Sequence, residues 1–329
     1  MKAKAFRIIS ILLLVVLLLA LGTAIAGAIA KSNLAKQYPA PGQLVDVGGY
    51  KMHINCTGQG SPTIILAAGT ADFSTTWAYV QPEVAKLTRV CAYDRAGLGW
   101  SEPSPLPLTV KTTVDELHTL LINARVQGPY VLVGHSLGGM HMRAYAHNYP
   151  DEVVGLIQLD SLHEDQAILD PVYTKVNQVD VEPFRMLALL NSTGIMALAP
   201  QSIPNQGLPD DAYAQYQASL ATTNFFKTTI AEVKAQAGHC AEVRALKIAG
   251  FGNMPLIVIT RGRANRTASL SDTENQHSED VWQALQPRLA GLSSDSKQVI
   301  AEQSGHMIQL DQPDLVVEAI REMVDAIQK

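Results

Sequence analysis

Five short apolar runs punctuate the chain: TIILAAG (63–69), RVCAYD (89–94), YVLVG (130–134), VVGLIQLD (153–160) and PLIVIT (255–260). Each has the length of a strand and little polar alternation, the pattern of strands covered on both faces. KQVIAEQ (297–303) reads as a last strand. Between the second and third runs, TTVDELHTLLINARV has apolar residues at helical spacing after a threonine start. PDLVVEAIREMVDAI (313–327) predicts a closing helix with Pro313 in its first turn. Strands alternating with helices predict the α/β class, a mainly parallel, twisted sheet with helices on both faces. Upstream, LVDVGGYKMHIN alternates on either side of Gly48-Gly49, the signature of a hairpin with a two-residue turn.

The rhythm breaks between Leu162 and Asn253. That interval carries helical stretches such as DDAYAQYQASLATTNFFKTTIAEVKAQ, with prolines at 171, 183, 200, 204 and 209 and no good strand. It predicts a helical cap over one end of the sheet. The division is then core 44–161, cap 162–253 and core again 254–329.

At the N-terminus, Lys2, Lys4 and Arg7 precede a stretch from Ile8 to Ala30 with no charged residue. Its 23 residues are long enough to cross a bilayer as a helix. The same stretch suits a signal-peptide core, with AIA at 24–26 and 28–30 as small-residue cleavage sites. Residues 1–31 therefore read as a membrane anchor or a signal, and 32–43, with Pro39, Pro41 and Gly42, as a linker. Positive charge is heavier before the stretch than after it, where Lys31 and Lys36 follow, which places the folded domain outside the cytoplasm. Secretion after cleavage is the alternative.

A net charge of −5 at pH 7 without a basic run argues against a nucleic-acid partner, whose phosphates need a positive footprint. The three cysteines, Cys56, Cys91 and Cys240, form no CxxC pair. Cys91, inside an apolar run, reads as a small buried hydrophobe. Cys56 and Cys240 pair only if the fold brings them together. His163-Glu164-Asp165 lacks the i, i+4 spacing of a helical metal site, so no metal is expected there. His239 and Cys240 read as packing residues.

The most specific local signal is YVLVGHSLGGMHMRAYAHNYP, a buried strand leading through Ser136 into a helix. Gly134 and Gly138 flank the serine as G-x-S-x-G. A sharp strand-to-helix turn strains the serine backbone, leaves no room for side chains at the flanking positions, and lifts the hydroxyl above the sheet edge. A serine hydroxyl is a weak nucleophile and needs a base. His306 follows the last apolar run in KQVIAEQSGHMIQLDQP, where such a base is expected.

GHSLGG, SGHMIQLDQP and YDRAGLGWSEP (93–103), in this order of roles, strongly resemble the α/β-hydrolase superfamily. Within it they are similar to the branch of prolyl-aminopeptidase-like and esterase-like hydrolases with a helical cap. The resemblance runs from about Leu44 to Ile327. It implies Ser136 as nucleophile, His306 as general base and acid, and an oxyanion hole from the backbone N–H groups of Leu137 and Thr70. It implies no cofactor and no metal. Ala68-Gly69 stands where many members have His-Gly, so the loop after the first buried strand lacks its usual histidine support. The acid is expected a few residues beyond PLIVITRG, yet Arg263, Ala264, Asn265 and Arg266 follow. Asp160, at the end of the strand after the nucleophile helix, occupies the other position known among relatives. Asp272 and Glu274 are the alternatives. Asp94-Arg95 reads as a brace for the rim of the site, and His135 as shaping the turn.

The expected reaction is hydrolysis of a carboxylic ester, or an amide, through an acyl-enzyme. Phe184, Met186, Leu187, Phe225 and Phe226 in the cap favour a hydrophobic small-molecule substrate. An acyltransferase remains an alternative, as does an aminopeptidase-like enzyme with Glu182 or Glu232 holding the substrate amine. A non-catalytic binding protein on the same fold is the reading of another class.

Overall fold

The computed structural model describes residues 2–173 and 181–329, with the side chains of residues 2 and 3 left aside. Eight strands form one sheet: β1 (Gln43–Asp46), β2 (Lys51–Thr57), β3 (Thr63–Ala67), β4 (Val90–Tyr93), β5 (Tyr130–His135), β6 (Val153–Leu159), β7 (Leu256–Arg261) and β8 (Ser296–Ala301). Their order is β1-β2-β4-β3-β5-β6-β7-β8. The β1–β2 and β2–β4 pairs are antiparallel and every other pair is parallel. β1 and β2 form the expected hairpin. Gly48 and Gly49 take φ of 125° and 97°, and both their N–H groups donate to Asp46 Oδ1.

Alternation along the buried strands divides the core in two. Ile65, Ala67, Leu132, Leu156 and Val258 point to one face, and Ile64, Leu66, Val133, Ile157 and Ile259 to the other. The first face is covered by α2 (Val110–Asn123) and α3 (Leu137–Asn148). The second is covered chiefly by α9 (Pro313–Ile327), whose Val316, Ile320 and Met323 are buried. Thr109 caps α2 by accepting from the Thr112 N–H, so the helix starts before the threonine start read at TTVDELH.

The cap supplies α4 (Val181–Ser192), α5 (Ile195–Leu198), α6 (Asp210–Thr222) and α7 (Phe225–Leu246), with no strand among its described residues. α8 (Asp272–Ala290) follows β7 and packs beside it. The N-terminal helix α1 spans Lys2–Gln37, so the segment read as a linker is helical through its first six residues. Nothing before Pro39 breaks the i to i−4 ladder, and Leu34 and Tyr38 are partly buried.

The structure overturns the reading of the cysteines. Cys91 is not merely a small apolar residue: it faces Cys56 across the antiparallel β2–β4 pair and is bonded to it. Cys240 stays a buried free thiol on α7. The error came from the parallel-strand reading of RVCAYD, which ignored that β4 has β2 on one side.

Candidate active site

The six parallel strands end at the same edge of the sheet, where such folds hold their ligands. β5 runs straight into Ser136, whose φ of 52° and ψ of −122° are strained for any residue but glycine. A Cβ at Gly134 would lie 2.4 Å from the Gly139 Cα, and one at Gly138 would lie 2.4 Å from the Ala68 carbonyl oxygen. Both flanking glycines are thus demanded by close backbone approach. Gly69, on the loop after β3, also sits against the turn, since a Cβ there would come within 3.1 Å of Ser136 Cβ.

The loop after β8 brings His306 to the same edge. Its Nδ1 lies 2.6 Å from Oδ2 of Asp160, the residue directly after β6. Asp160 is fully buried, with φ of 38°. Its carboxylate also accepts from Trp282 Nε1 at 2.8 Å and from Arg261 Nη1 at 2.6 Å. Burial alone would raise the Asp160 carboxyl, but the His306 hydrogen bond and charge, with Arg261 and Trp282, hold it down to about 2. Arg261 in turn pairs with Glu279 over 2.6 Å and lies 4.7 Å above the Trp282 ring.

The other two carboxylates stand elsewhere. Asp272 is almost fully exposed and paired with Arg266. Glu274 completes a capping box with Ser271 at the start of α8. The structure therefore brings together Ser136, His306 and Asp160, and leaves Asp272 and Glu274 outside. Ser136 and His306 line one cavity of about 700 Å³, together with Thr70.

The loop after β3 is held by Arg95 and Glu232, which the sequence named separately, one as a rim brace and the other as an amine-site candidate, and not as a pair. Arg95 donates from Nη1 to the Ala68 carbonyl and from Nη2 to the Gly69 carbonyl, both at 2.6 Å. Glu232 of α7 accepts from Arg95 Nε at 2.7 Å and from the Ala71 N–H at 2.8 Å. This buried pair holds the loop at Ala68-Gly69, where the resemblance led one to expect a histidine. Arg95 was expected to brace the rim, but its partner on the cap carries no sequence signature. Likewise, nothing in the sequence around Trp282 marks it as a donor to Asp160.

His135 is buried directly beneath, its ring 4.6 Å from that of His306, and donates from Nε2 to the His306 carbonyl at 2.8 Å. Burial and the neighbouring His306 charge push it down to about 3, so it stays neutral near pH 7. Glu164 and Asp165 are taken by arginines, Arg143 and Arg244. The His239 ring lies 5.3 Å from that of buried His141, and the Cys240 thiol donates to the His163 carbonyl, so both sit in packing positions.

Phe184, Leu187, Met196, Leu220, Phe225 and Phe226 form the apolar wall of the cavity on the cap side. Met186, expected among them, is 60% exposed on the outer face of α4. Asp72 also lines the cavity, and burial raises its carboxyl to about 6.

The chain belongs to the alpha/beta hydrolase family, whose match covers residues 64–319. It is 27% identical over 263 residues to the uncharacterised protein YqjL of Bacillus subtilis, covering 80% of this chain and 83% of that one. A laboratory-evolved variant of potato epoxide hydrolase StEH1 aligns with a TM-score of 0.67 at 18% identity, over 86% of this chain and 98% of the other. A thermophilic esterase from Thermogutta terrifontis aligns with a TM-score of 0.56 at 20% identity, over 87% of this chain and 97% of the other. At these identities the two structures speak for the fold.

Proposed function

We propose that this chain is a serine hydrolase that cleaves a carboxylic ester through an acyl-enzyme on Ser136. The observation that carries the reading is the Asp160–His306 contact at the same sheet edge as a strained serine turn. Asp160 fixes the imidazole with its proton on Nδ1, which leaves Nε2 free to act as base. His306 Nε2 takes the Ser136 proton as Oγ attacks the carbonyl carbon. The tetrahedral oxyanion is held by the N–H groups of Leu137, at the start of α3, and Thr70, since the Ala71 N–H is already given to Glu232. The intermediate collapses, and the alcohol leaves with the proton from His306. Water then attacks the acyl-enzyme with His306 as base, and the acid departs.

Epoxide hydrolysis fits these residues poorly. A serine opening an epoxide would leave an ether, which a histidine-activated water cannot cleave as it cleaves an ester. An aminopeptidase needs a standing negative charge for the substrate amine. Glu232 is committed to Arg95 and Ala71, Glu182 is on the surface with Arg185, and burial works against a charge on Asp72. Ester chemistry makes no such demand, and the apolar wall favours a hydrophobic acyl or alcohol group.

α1 is long and apolar enough to cross a membrane. We read it as an anchor with the hydrolase outside the cytoplasm, and the Cys56–Cys91 bond agrees with an oxidising compartment.

The test uses the full chain in detergent with p-nitrophenyl esters of increasing acyl length, beside Ser136→Ala. Parent activity that the variant lacks, with a fluorophosphonate adduct mapped to Ser136, is the expected result. Equal background rates and no adduct would remove the reading.

A further inference from the structure

The apolar stretch of α1 does not stand apart from the folded domain. Gly27, near its C-terminal end, is buried against the backbone of Gly194, so closely that a Cβ would lie 2.7 Å from the Gly194 carbonyl carbon. Thr23, Ala30 and Leu34 continue the same partly buried stripe one and two turns away. α1 also packs on α5 and α6 of the cap. If Ile8–Ala30 spans the bilayer, Gly194 must sit at the membrane boundary, because Gly27 lies only one turn before Lys31.

The cap side chains beside this contact are apolar and face outward. Leu189 is 61% exposed and Leu198 is 45% exposed, and Met186, Leu190 and Ile195 join them. The same two helices, α4 and α5, turn Phe184, Leu187 and Met196 inward to the cavity. Only one layer of helix separates the outer apolar face from the site. Lys31 and Lys227 line a small depression at the α1–cap junction, just past the uncharged stretch of α1.

We propose that the outer face of α4 and α5 rests in the lipid headgroup and acyl boundary, and that the cavity takes its substrate from the bilayer through this part of the cap. The occupant of the face is a lipid surface, because the membrane helix emerges against it and fixes its depth. The route rests on the serine-hydrolase reading, while the position of the face does not. Substrates would be esters of long-chain lipids already dissolved in the membrane.

The experiment uses the full chain in nanodiscs of phosphatidylcholine with a fifth phosphatidylglycerol. A polarity-sensitive fluorophore is placed on Leu189→Cys, Leu198→Cys or Ile122→Cys. Cys240 is buried and Cys56 is bonded to Cys91, so the new thiol labels selectively. Ile122 is exposed near the end of α2, at the opposite edge of the sheet from the cap. Lipids brominated at upper acyl carbons should quench probes 189 and 198 several-fold more than probe 122; equal quenching overturns the proposal. A second arm compares Leu189→Glu/Leu198→Glu with the parent on a long-chain ester within the nanodisc and on a water-soluble acetate ester. The expected loss is on the order of tenfold on the bilayer ester alone, the factor carried by about 1.4 kcal/mol. Equal loss on both esters, or on neither, overturns the route. A parent inactive on both would instead sink the serine-hydrolase reading, with quenching still deciding the surface.

Discussion

Arg261, the last residue of β7, donates from Nη1 to the same oxygen of Asp160 that meets His306 Nδ1, each at 2.6 Å. The strand end where a carboxylate was expected thus carries a cation that grips a carboxylate from the next strand. Arg261 is 4% exposed and its other arm holds Glu279, so it is the arginine shared by both buried anions. Arg261→Met should cost about 3–5 kcal/mol of stability by stranding buried charge. It should also raise the Asp160 carboxyl above about 2, since one cause of its depression is gone. Chemical denaturation, with a carboxylate-resolved pH titration of the variant, checks both. An unchanged midpoint would show the pair to be dispensable.

The assignment of the acid can be separated from its rivals. Asp160→Asn should lower kcat by about 10³–10⁴ with little change in KM, because the wrong imidazole tautomer is then held. Asp272→Asn and Glu274→Gln should leave kcat within about twofold, since one sits on the surface and the other caps α8. Ester hydrolysis by the three variants, each checked for native circular dichroism, decides the matter.

The Arg95–Glu232 pair makes a different prediction. Its hydrogen bonds end on the backbone of the proposed oxyanion loop at Ala68, Gly69 and Ala71, and none of them reaches the Ser136 side chain. Arg95→Lys keeps a charge but cannot donate to both carbonyls and to Glu232 in the same fork geometry. The expected effect is a fall in kcat of about 10²-fold, near that of losing one oxyanion donor, with KM nearly constant. A rise in KM at constant kcat would instead make the pair a substrate-binding device.

The sheet and the serine turn were legible because their causes are local. Continuous apolar runs need cover on both faces, and the glycines at 134 and 138 answer to backbone clashes within or beside the turn. His306 was legible by its place after the last strand. Asp160 was legible only as one of several carboxylates, because what selects it is the meeting of β6, β7 and α8 in space. Glu232, 137 residues beyond Arg95, and Trp282, 122 beyond Asp160, act through contacts no spacing rule encodes. The Cys56–Cys91 bond was hidden for the same reason, since the order β2-β4-β3 is a property of the whole sheet.

Reducing that bond should weaken the fold without touching the site. It closes a loop with a sequence separation of 35 between β2 and β4, which β3 separates from the serine strand β5. Cys56→Ser/Cys91→Ser should lose about 2–4 kcal/mol, seen as a lower urea midpoint at unchanged slope, and keep its kcat. A matching loss of kcat under native conditions would tie β2 and β4 to the loop that Arg95 holds.

Acid should act on the protein through its buried histidines, His135 among them. The folded value of His135, about 3, lies below the ordinary 6.5, so the unfolded chain binds a proton that the folded chain refuses. The stability this group contributes is complete above pH 6.5 and is lost as pH falls towards 3, at up to about 1.4 kcal/mol per pH unit. Asp160 follows at lower pH, its contribution complete above its ordinary 3.8 and lost as pH falls through about 2. His135→Gln removes the first term and keeps a donor within reach of the His306 carbonyl. Its melting temperature should therefore fall less than the parent's between pH 7 and pH 4.5, although it begins lower. Parallel declines would mean that the other buried histidines, His141 and His163 among them, carry the loss.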